Sequence, residues 1–197
     1  MKQGNLFNKI DTYSCISEIT PDEIGHMEDE FGETCAIFVL DSTGFTRISR
    51  EKGTLFYLYF ISNLRRICRE LFPQHNAIDF RFHADNAFAE FKTVDEAVLC
   101  ARSVVDHFAE KKLNMGKEIF QSCIGIGYGE VVRCNYEGVF GNEMNFTAKL
   151  GEDVAEAGQI LLTENAYNNI STPITDTSIE SVRVSGVDLT YYKVLSF

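Results

Sequence analysis

The chain is short of basic residues, of proline and of long apolar runs. Its 18 lysines and arginines stand against 29 aspartates and glutamates, a formal net charge of −11. That balance argues against a surface that neutralises the phosphates of a nucleic acid polymer. A small nucleotide stays open as a ligand, because divalent cations can bridge carboxylates to a triphosphate. No apolar run reaches the length of about 18 residues that a membrane span needs. The opening Met1-Lys2-Gln3-Gly4-Asn5-Leu6-Phe7 lacks the apolar stretch of a signal peptide. No C-x-x-C pair occurs among Cys15, Cys35, Cys68, Cys100, Cys123 and Cys134. Neither a zinc site nor a disulfide scaffold is therefore expected, and the thiols suit a reduced, cytoplasmic protein.

What is present fits one domain. At 197 residues with 45% hydrophobic content the chain can fill a core, and no repeat or low-complexity tract divides it. Residues 1–33 are mixed and acidic, with Pro21 and the cluster Glu28, Asp29 and Glu30, and suggest an N-terminal arm or cap. From residue 34 the pattern sharpens. Cys35-Ala36-Ile37-Phe38-Val39-Leu40 has the continuous apolar character of a strand buried on both faces. Asp41 and a turn at Ser42-Thr43-Gly44 follow. A helix is expected over 45–72, its inner face carrying Tyr57, Phe60, Ile61, Leu64, Ile67, Cys68 and Leu71.

Pro73 and Asn76 should end that helix. Strands over 77–83 and 87–91 then meet at a tight turn through Asp85-Asn86. Thr93-x-x-Glu96 is a capping box for a second helix. After a break at Gly116, a strand over 120–133 alternates Ile124, Ile126 and Tyr128 with Gly125, Gly127 and Gly129. A third helix over 142–154, a strand over 159–162 and a terminal hairpin around Gly186 complete the chain. The order, β-α-β-β-α-β followed by α-β-β, predicts an α+β fold: a ferredoxin-like antiparallel sheet with helices on one face, spanning 34–197.

Two carboxylates stand out by position. Asp41 lies where a buried strand emerges, and Asp85 lies at a hairpin turn. Adjacent strands would let both converge on one end of the sheet, offering the hard oxygen ligands that magnesium takes beside phosphate oxygens. Turn capping, a common task for aspartate, is the better account of each one taken alone.

The surrounding residues form a resemblance. Asp41-Ser42-Thr43-Gly44-Phe45-Thr46 resembles the D-x-x-G-F-T segment of class III adenylate and guanylate cyclases. His83-Ala84-Asp85-Asn86-Ala87-Phe88-Ala89-Glu90-Phe91 is similar to their I-G-D-A-F-M-A-V-F hairpin, with Ala84 in place of glycine. Residues 125–131 resemble G-I-x-x-G-E-V, residues 141–150 resemble G-x-x-V-N-x-A-A-R-L, and residues 158–163 resemble G-Q-I-L-V-S. Five segments in the right order are a specific signal, whereas each one alone is weak.

The resemblance implies a nucleotidyl cyclase that works as a head-to-tail homodimer with two composite sites. Asp41 and Asp85, with Ser42, would hold two magnesium or manganese ions. The turn Ser42, Thr43, Gly44, Phe45 and Thr46 would take the β- and γ-phosphates at a helix start. Asn145 would orient the ribose and Lys149 would neutralise charge at the α-phosphate. The ribose 3′-oxygen would attack the α-phosphorus and pyrophosphate would leave. Lys149 stands where the family carries arginine, and Ser185 stands where a lysine near the polyphosphate is frequent. Arg183, two residues earlier, could substitute for that lysine. A solvated surface charge is the plain alternative for both Lys149 and Arg183.

The family reads its base with a residue before the I-G-D segment and another before the third helix. Those positions are Arg81 and Gly138 here. Neither supplies the acceptor that adenine N6 needs or the carboxylate that guanine needs, and arginine is donor-only. Uracil, a small ring with two carbonyl acceptors, fits best, and the aromatic run Phe56–Phe60 could narrow the pocket further. A strand-edge pair between Arg81 and Asp79 is the alternative. The stand-alone form also resembles the pyrimidine cyclases of bacterial Pycsar antiphage defence, whose cyclic nucleotide is read by a separate effector protein. An adenylate or guanylate cyclase with drifted base-reading residues is a rival. So is an inactive pseudocyclase that binds nucleotide or regulates a partner. A diguanylate cyclase is disfavoured, because residues 84–88 lack the second acid of its hairpin.

Overall fold

The computed structural model describes residues 6–14, 19–111, 121–135, 137–184 and 186–196. Gly116 and Ser185, two positions singled out above, lie outside the described residues. Two helices come first, α1 (Leu6–Ser14) and α2 (Pro21–Phe31). Thr20 opens α2 with a full capping box: its hydroxyl accepts from the Glu23 backbone N–H and its own N–H donates to the Glu23 carboxylate. The chain then runs without a linker into β1 (Gly32–Ser42), so the expected boundary at residue 34 falls inside a strand.

The expected helix over 45–72 is two helices, α3 (Phe45–Lys52) and α4 (Thr54–Gln74). They part at Gly53, whose φ of +91° leaves helical space. Pro73 lies inside the last turn of α4 rather than ending it. The hairpin β2 (Asp79–His83) and β3 (Asn86–Phe91) follows, then α5 (Val94–Lys111) behind its Thr93–Glu96 box. Next come β4 (Ser122–Cys134), β5 (Gly138–Phe140) and α6 (Asn142–Lys149), which continues into one π-helical turn, Leu150–Val154. The remainder is β6 (Ile160–Thr163), α7 (Glu164–Asn168), β7 (Asp176–Val184) and β8 (Val187–Ser196).

The strands lie in the order β2-β3-β1-β4-β6-β8-β7, with β5 added to β4. Each pairing is antiparallel except β4 with β6, so the sheet is mixed. Alternate residues of β1 feed two cores, as period-two geometry requires. Ala36, Phe38 and Leu40 pack with Phe60, Leu64 and Phe72 of α4 and with Ala97, Ala101 and Val104 of α5. Cys35, Ile37 and Val39 face the other way, toward Met144 and Ala148 of α6. The two long helices thus share one face as expected, and the short α6 occupies the opposite one. At the far end of β4, Cys134 packs with Leu6 of α1 and with Met27 and Phe31 of α2.

The opposite face is shaped by glycine. A Cβ at Gly125 would come 2.3 Å from the Thr147 carbonyl oxygen, and one at Gly127 would overlap the Thr147 hydroxyl. Their bare backbone lets α6 lie directly on β4. Glu143, buried in α6, locks the contact by accepting from the Tyr128 N–H at 3.1 Å and from Asn165 Nδ2 at 3.0 Å.

Candidate active site

Pairing of Leu40 with Ala87 brings the end of β1 beside the β2–β3 hairpin, and this places Asp41 next to Asp85. The Asp41 carboxyl is half-buried, and its pKa is pushed up to about 6. Burial is the largest cause and the charge of Asp85 the second, with Glu152 and Asp153 of the π turn adding to it. Asp85 is held firmly. Its Oδ2 accepts from the Ser42 hydroxyl at 3.0 Å and from the Tyr57 hydroxyl at 3.1 Å. The Ser42 and Tyr57 hydroxyls also bond each other. Arg65 of α4 donates to the Ala84 carbonyl at 2.6 Å and steadies the turn, in which Ala84 adopts a left-handed φ of +49°.

Tyr57 and Arg65 were legible in sequence only as helix residues. The signal for Tyr57 was one hydroxyl on an otherwise apolar face. Ser42 is buried with its hydroxyl committed to Asp85 and Tyr57 and its N–H bonded to the Asp41 carboxyl, which leaves its carbonyl as what it can offer a cation.

The turn after β1 is braced by Thr43, whose N–H and hydroxyl both donate to the Gln121 carbonyl, at 3.1 and 3.0 Å. Gly44, at φ +85°, serves as the N-cap of α3, and Phe45 and Thr46 begin that helix. The N-terminal end of α3 therefore opens on the same rim as Asp41.

Arg81 and Gly138 meet on the α6 face of the sheet. A Cβ built on Gly138, whose φ is +98°, would lie 1.9 Å from Arg81 Cζ. The guanidinium fills the place of the missing side chain and rests on the Phe88 ring, 4.9 Å from its centroid. The aromatic run 56–60 does not reach this point in the same chain, because Phe56 and Phe60 belong to the core beneath α4. Nor does Arg81 pair with Asp79. It pairs with Glu90, donating from Nη1 to Oε1 at 2.6 Å, while Asp79 lies 3.8 Å from Arg133. Arg81, Arg133, Asn135 and Gly138 border a cavity of about 410 Å³. Glu90 and Arg133 had no signal in sequence, since strand alternation alone cannot say which charged side chains share a face with a distant strand.

Asn145 is exposed on α6, and Lys149 lies one turn further along it. Lys149 Nζ bonds Asp153 at 2.7 Å. Arg183 lies at the end of β7, 72% exposed and 3.7 Å from Asp188. Because β7 and β2 are the two edges of the sheet, Arg183 is far across it from Arg81. The chain thus gathers Asp41, Asp85 and the Ser42–Gly44 turn at one rim and Arg81 with Gly138 in a cavity. It does not unite all the expected residues in a single pocket.

Two carboxylates with unbalanced negative charge suit a divalent cation that completes its shell with water and phosphate oxygens. Among the described residues no group of three or more histidine, cysteine, aspartate or glutamate side chains forms a fuller cage. Nor is any helix among them long and apolar enough to cross a membrane.

No protein-family model matches the chain, and no curated protein does. Solved structures do. The adenylyl cyclase CyaB from P. aeruginosa superposes with a TM-score of 0.71 at 18% identity, over 84% of this chain and 95% of that one. The adenylate/guanylate cyclase/hydrolase from Silicibacter pomeroyi gives 0.68 at 22% identity, over 84% and 98%. The guanylate cyclase domain of RhGC from Catenaria anguillulae, in complex with GTP, gives 0.71 at 19% identity, over 83% and 97%. At these identities the likeness shows the fold: the chain has the mixed sheet and helix arrangement of adenylate and guanylate cyclase catalytic domains.

Proposed function

We propose that the chain is a nucleotidyl cyclase that converts a nucleoside triphosphate, UTP in first place, to its 3′,5′-cyclic monophosphate and pyrophosphate. The observation that carries this reading is the proximity of Asp85 to Asp41 at the rim of a cyclase-type sheet, where burial and the Asp85 charge raise the cost of ionising Asp41. Asp41 and Asp85 would hold two magnesium or manganese ions there. Such ions supply charge neutralisation on the phosphates and make the ribose 3′-oxygen easier to ionise. The N–H groups of Gly44 and of the first turn of α3 would receive the β- and γ-phosphates, while Ser42 and Thr43, whose own N–H groups are bonded to Asp41 and Gln121, would shape the turn.

The remaining groups would come from a second copy of the chain. Asn145 would orient the ribose, Lys149 would leave Asp153 to meet charge developing at the α-phosphate, and Arg81 beside Gly138 would read the base. Arg183 is suited to the polyphosphate from its exposed strand end. The separation of Asp41 and Asp85 from Arg81 and Arg183 within one chain supports this division of labour between two subunits. Arginine in the base cavity favours carbonyl acceptors, and hence uracil. A cytoplasmic synthase of cyclic UMP for a separate effector, as in the Pycsar defence it resembles, is the biological role we favour.

A second reading, GTP as substrate, would need Glu90, the carboxylate beside Arg81, as its guanine acceptor. Its Oε1 is committed to that arginine and its Oε2 is shut off from solvent, so neither faces the cavity as a guanine acceptor. Incubation with each of the four triphosphates and manganese tests the proposal. Pyrophosphate release with UTP, lost in Asp41→Ala, is the expected result. No release with any triphosphate would leave a nucleotide-binding or regulatory module. Constant turnover per chain on dilution far below the dimer dissociation constant would refute the composite site.

A further inference from the structure

Glu90 has no task in the reading above, yet it is a buried acid set behind Arg81 and Arg133, which line the cavity. It lies on β3 opposite Ile37 and Asp79, with its side chain 1% exposed. A carboxylate so far from water is costly unless it is paired. The similar hairpin quoted above carries valine at this place, so the turn and strand do not require an acid. A buried ion pair is also seldom more stabilising than an apolar pair of the same volume. Stability alone therefore gives a poor account of Glu90.

Its contacts give a better one. Oε1 accepts from Arg81 Nη1 at 2.6 Å. Oε2 has no hydrogen-bond partner among the described residues and stands 3.6 Å from Arg133 Nη1. Arg133 is fixed in turn by Glu33, which accepts from its Nε at 2.8 Å and from its Nη2. Arg81 is thus held on three sides: by Glu90 at one edge, by the Phe88 ring at one face, and by the gap over Gly138. An unanchored arginine side chain would spread over many rotamers, and a ligand that fixed it would bear that entropy cost.

We propose that Glu90 is the positioning residue for base selection: it grips one edge of the Arg81 guanidinium so that the other N–H donors face the cavity and select a base with carbonyl acceptors. The proposal rests on the assignment of Arg81 and Gly138 to the base pocket. Glu90 itself touches no substrate. The anchored arginine favours uracil, whereas a mobile one would accommodate several bases with similar, weaker affinity.

The test is a double-mutant cycle with Arg81→Ala, Glu90→Gln and the combination, each measured with UTP, CTP, ATP and GTP and each melted to check folding. Glu90→Gln should weaken the base preference by about tenfold, with the effect falling on KM more than on kcat. In the Arg81→Ala background, Glu90→Gln should add less than about twofold, because the group it positions is gone. Glu90→Asp, which keeps the charge but draws it back by one methylene, serves as the second variant and should also lose preference. If Glu90→Gln is unfolded, Glu90→Asp with wild-type preference overturns the proposal. A folded Glu90→Gln with wild-type preference, while Arg81→Ala loses it, also overturns the proposal and leaves the pocket assignment standing. If Arg81→Ala keeps the preference, the pocket assignment itself fails, and the role of Glu90 fails with it.

Discussion

The guanidinium of Arg81 occupies the volume that any side chain at position 138 would need, with only 1.9 Å between Arg81 Cζ and a Cβ placed on Gly138. The two positions therefore cannot be varied independently. Gly138→Ala should expel Arg81 from its seat and strain a backbone at φ +98°, costing roughly 1–2 kcal/mol. Steady-state kinetics should show a raised KM for the preferred triphosphate and a weaker base preference. Arg81→Lys combined with Gly138→Asp, which supplies an acceptor in a space freed of the guanidinium, should move preference toward ATP.

Asp41 gives a pH signature. With its folded-state pKa raised from 3.8 to about 6, it favours folding while protonated, and that contribution is lost as the pH rises through 6. In chelator, Asp41→Asn should therefore stabilise the protein at pH 7 by about 1 kcal/mol after solvent screening, a rise of about 2–4 °C in melting temperature. At pH 4 the gain should vanish. The same variant should release no pyrophosphate, so stability and activity should move in opposite directions.

Ala84 sits where the similar hairpin has glycine, and its φ of +49° is a conformation alanine adopts reluctantly. Ala84→Gly should stabilise the fold by about 1 kcal/mol, visible as a higher urea midpoint with an unchanged slope. A fall in stability would mean that the alanine methyl makes contacts that outweigh the strain.

Tyr57 holds Asp85 from within the core. Tyr57→Phe removes one of the two hydroxyls that donate to Asp85 Oδ2. Manganese affinity, read from the paramagnetic signal of free ion and not from turnover, should fall by about tenfold. Folding stability should drop by only about 1 kcal/mol.

Some features followed from short stretches of chain. The apolar run of β1, the Thr93–Glu96 cap and the turn at Asp85 depend on neighbours a few residues apart, and period and capping chemistry state them directly. The glycine alternation of β4 was legible as a pattern, although its reason, the close approach of α6, was not. Local chemistry was silent on Gly53, where one expected helix divides into two.

The sequence by itself carried the order of the main strands and long helices from β1 onward, and it offered Asp41 and Asp85 as candidate acids by their positions. The pair Arg81 and Gly138 came from the family resemblance, as a proposal for the base. Only the tertiary structure decided that Glu90 and not Asp79 holds Arg81, that Tyr57 and Ser42 stand behind Asp85, and that Arg183 lies at the opposite sheet edge. Those facts depend on which strands become neighbours, and strand order is set by the packing of two separate cores. No window of sequence contains that packing.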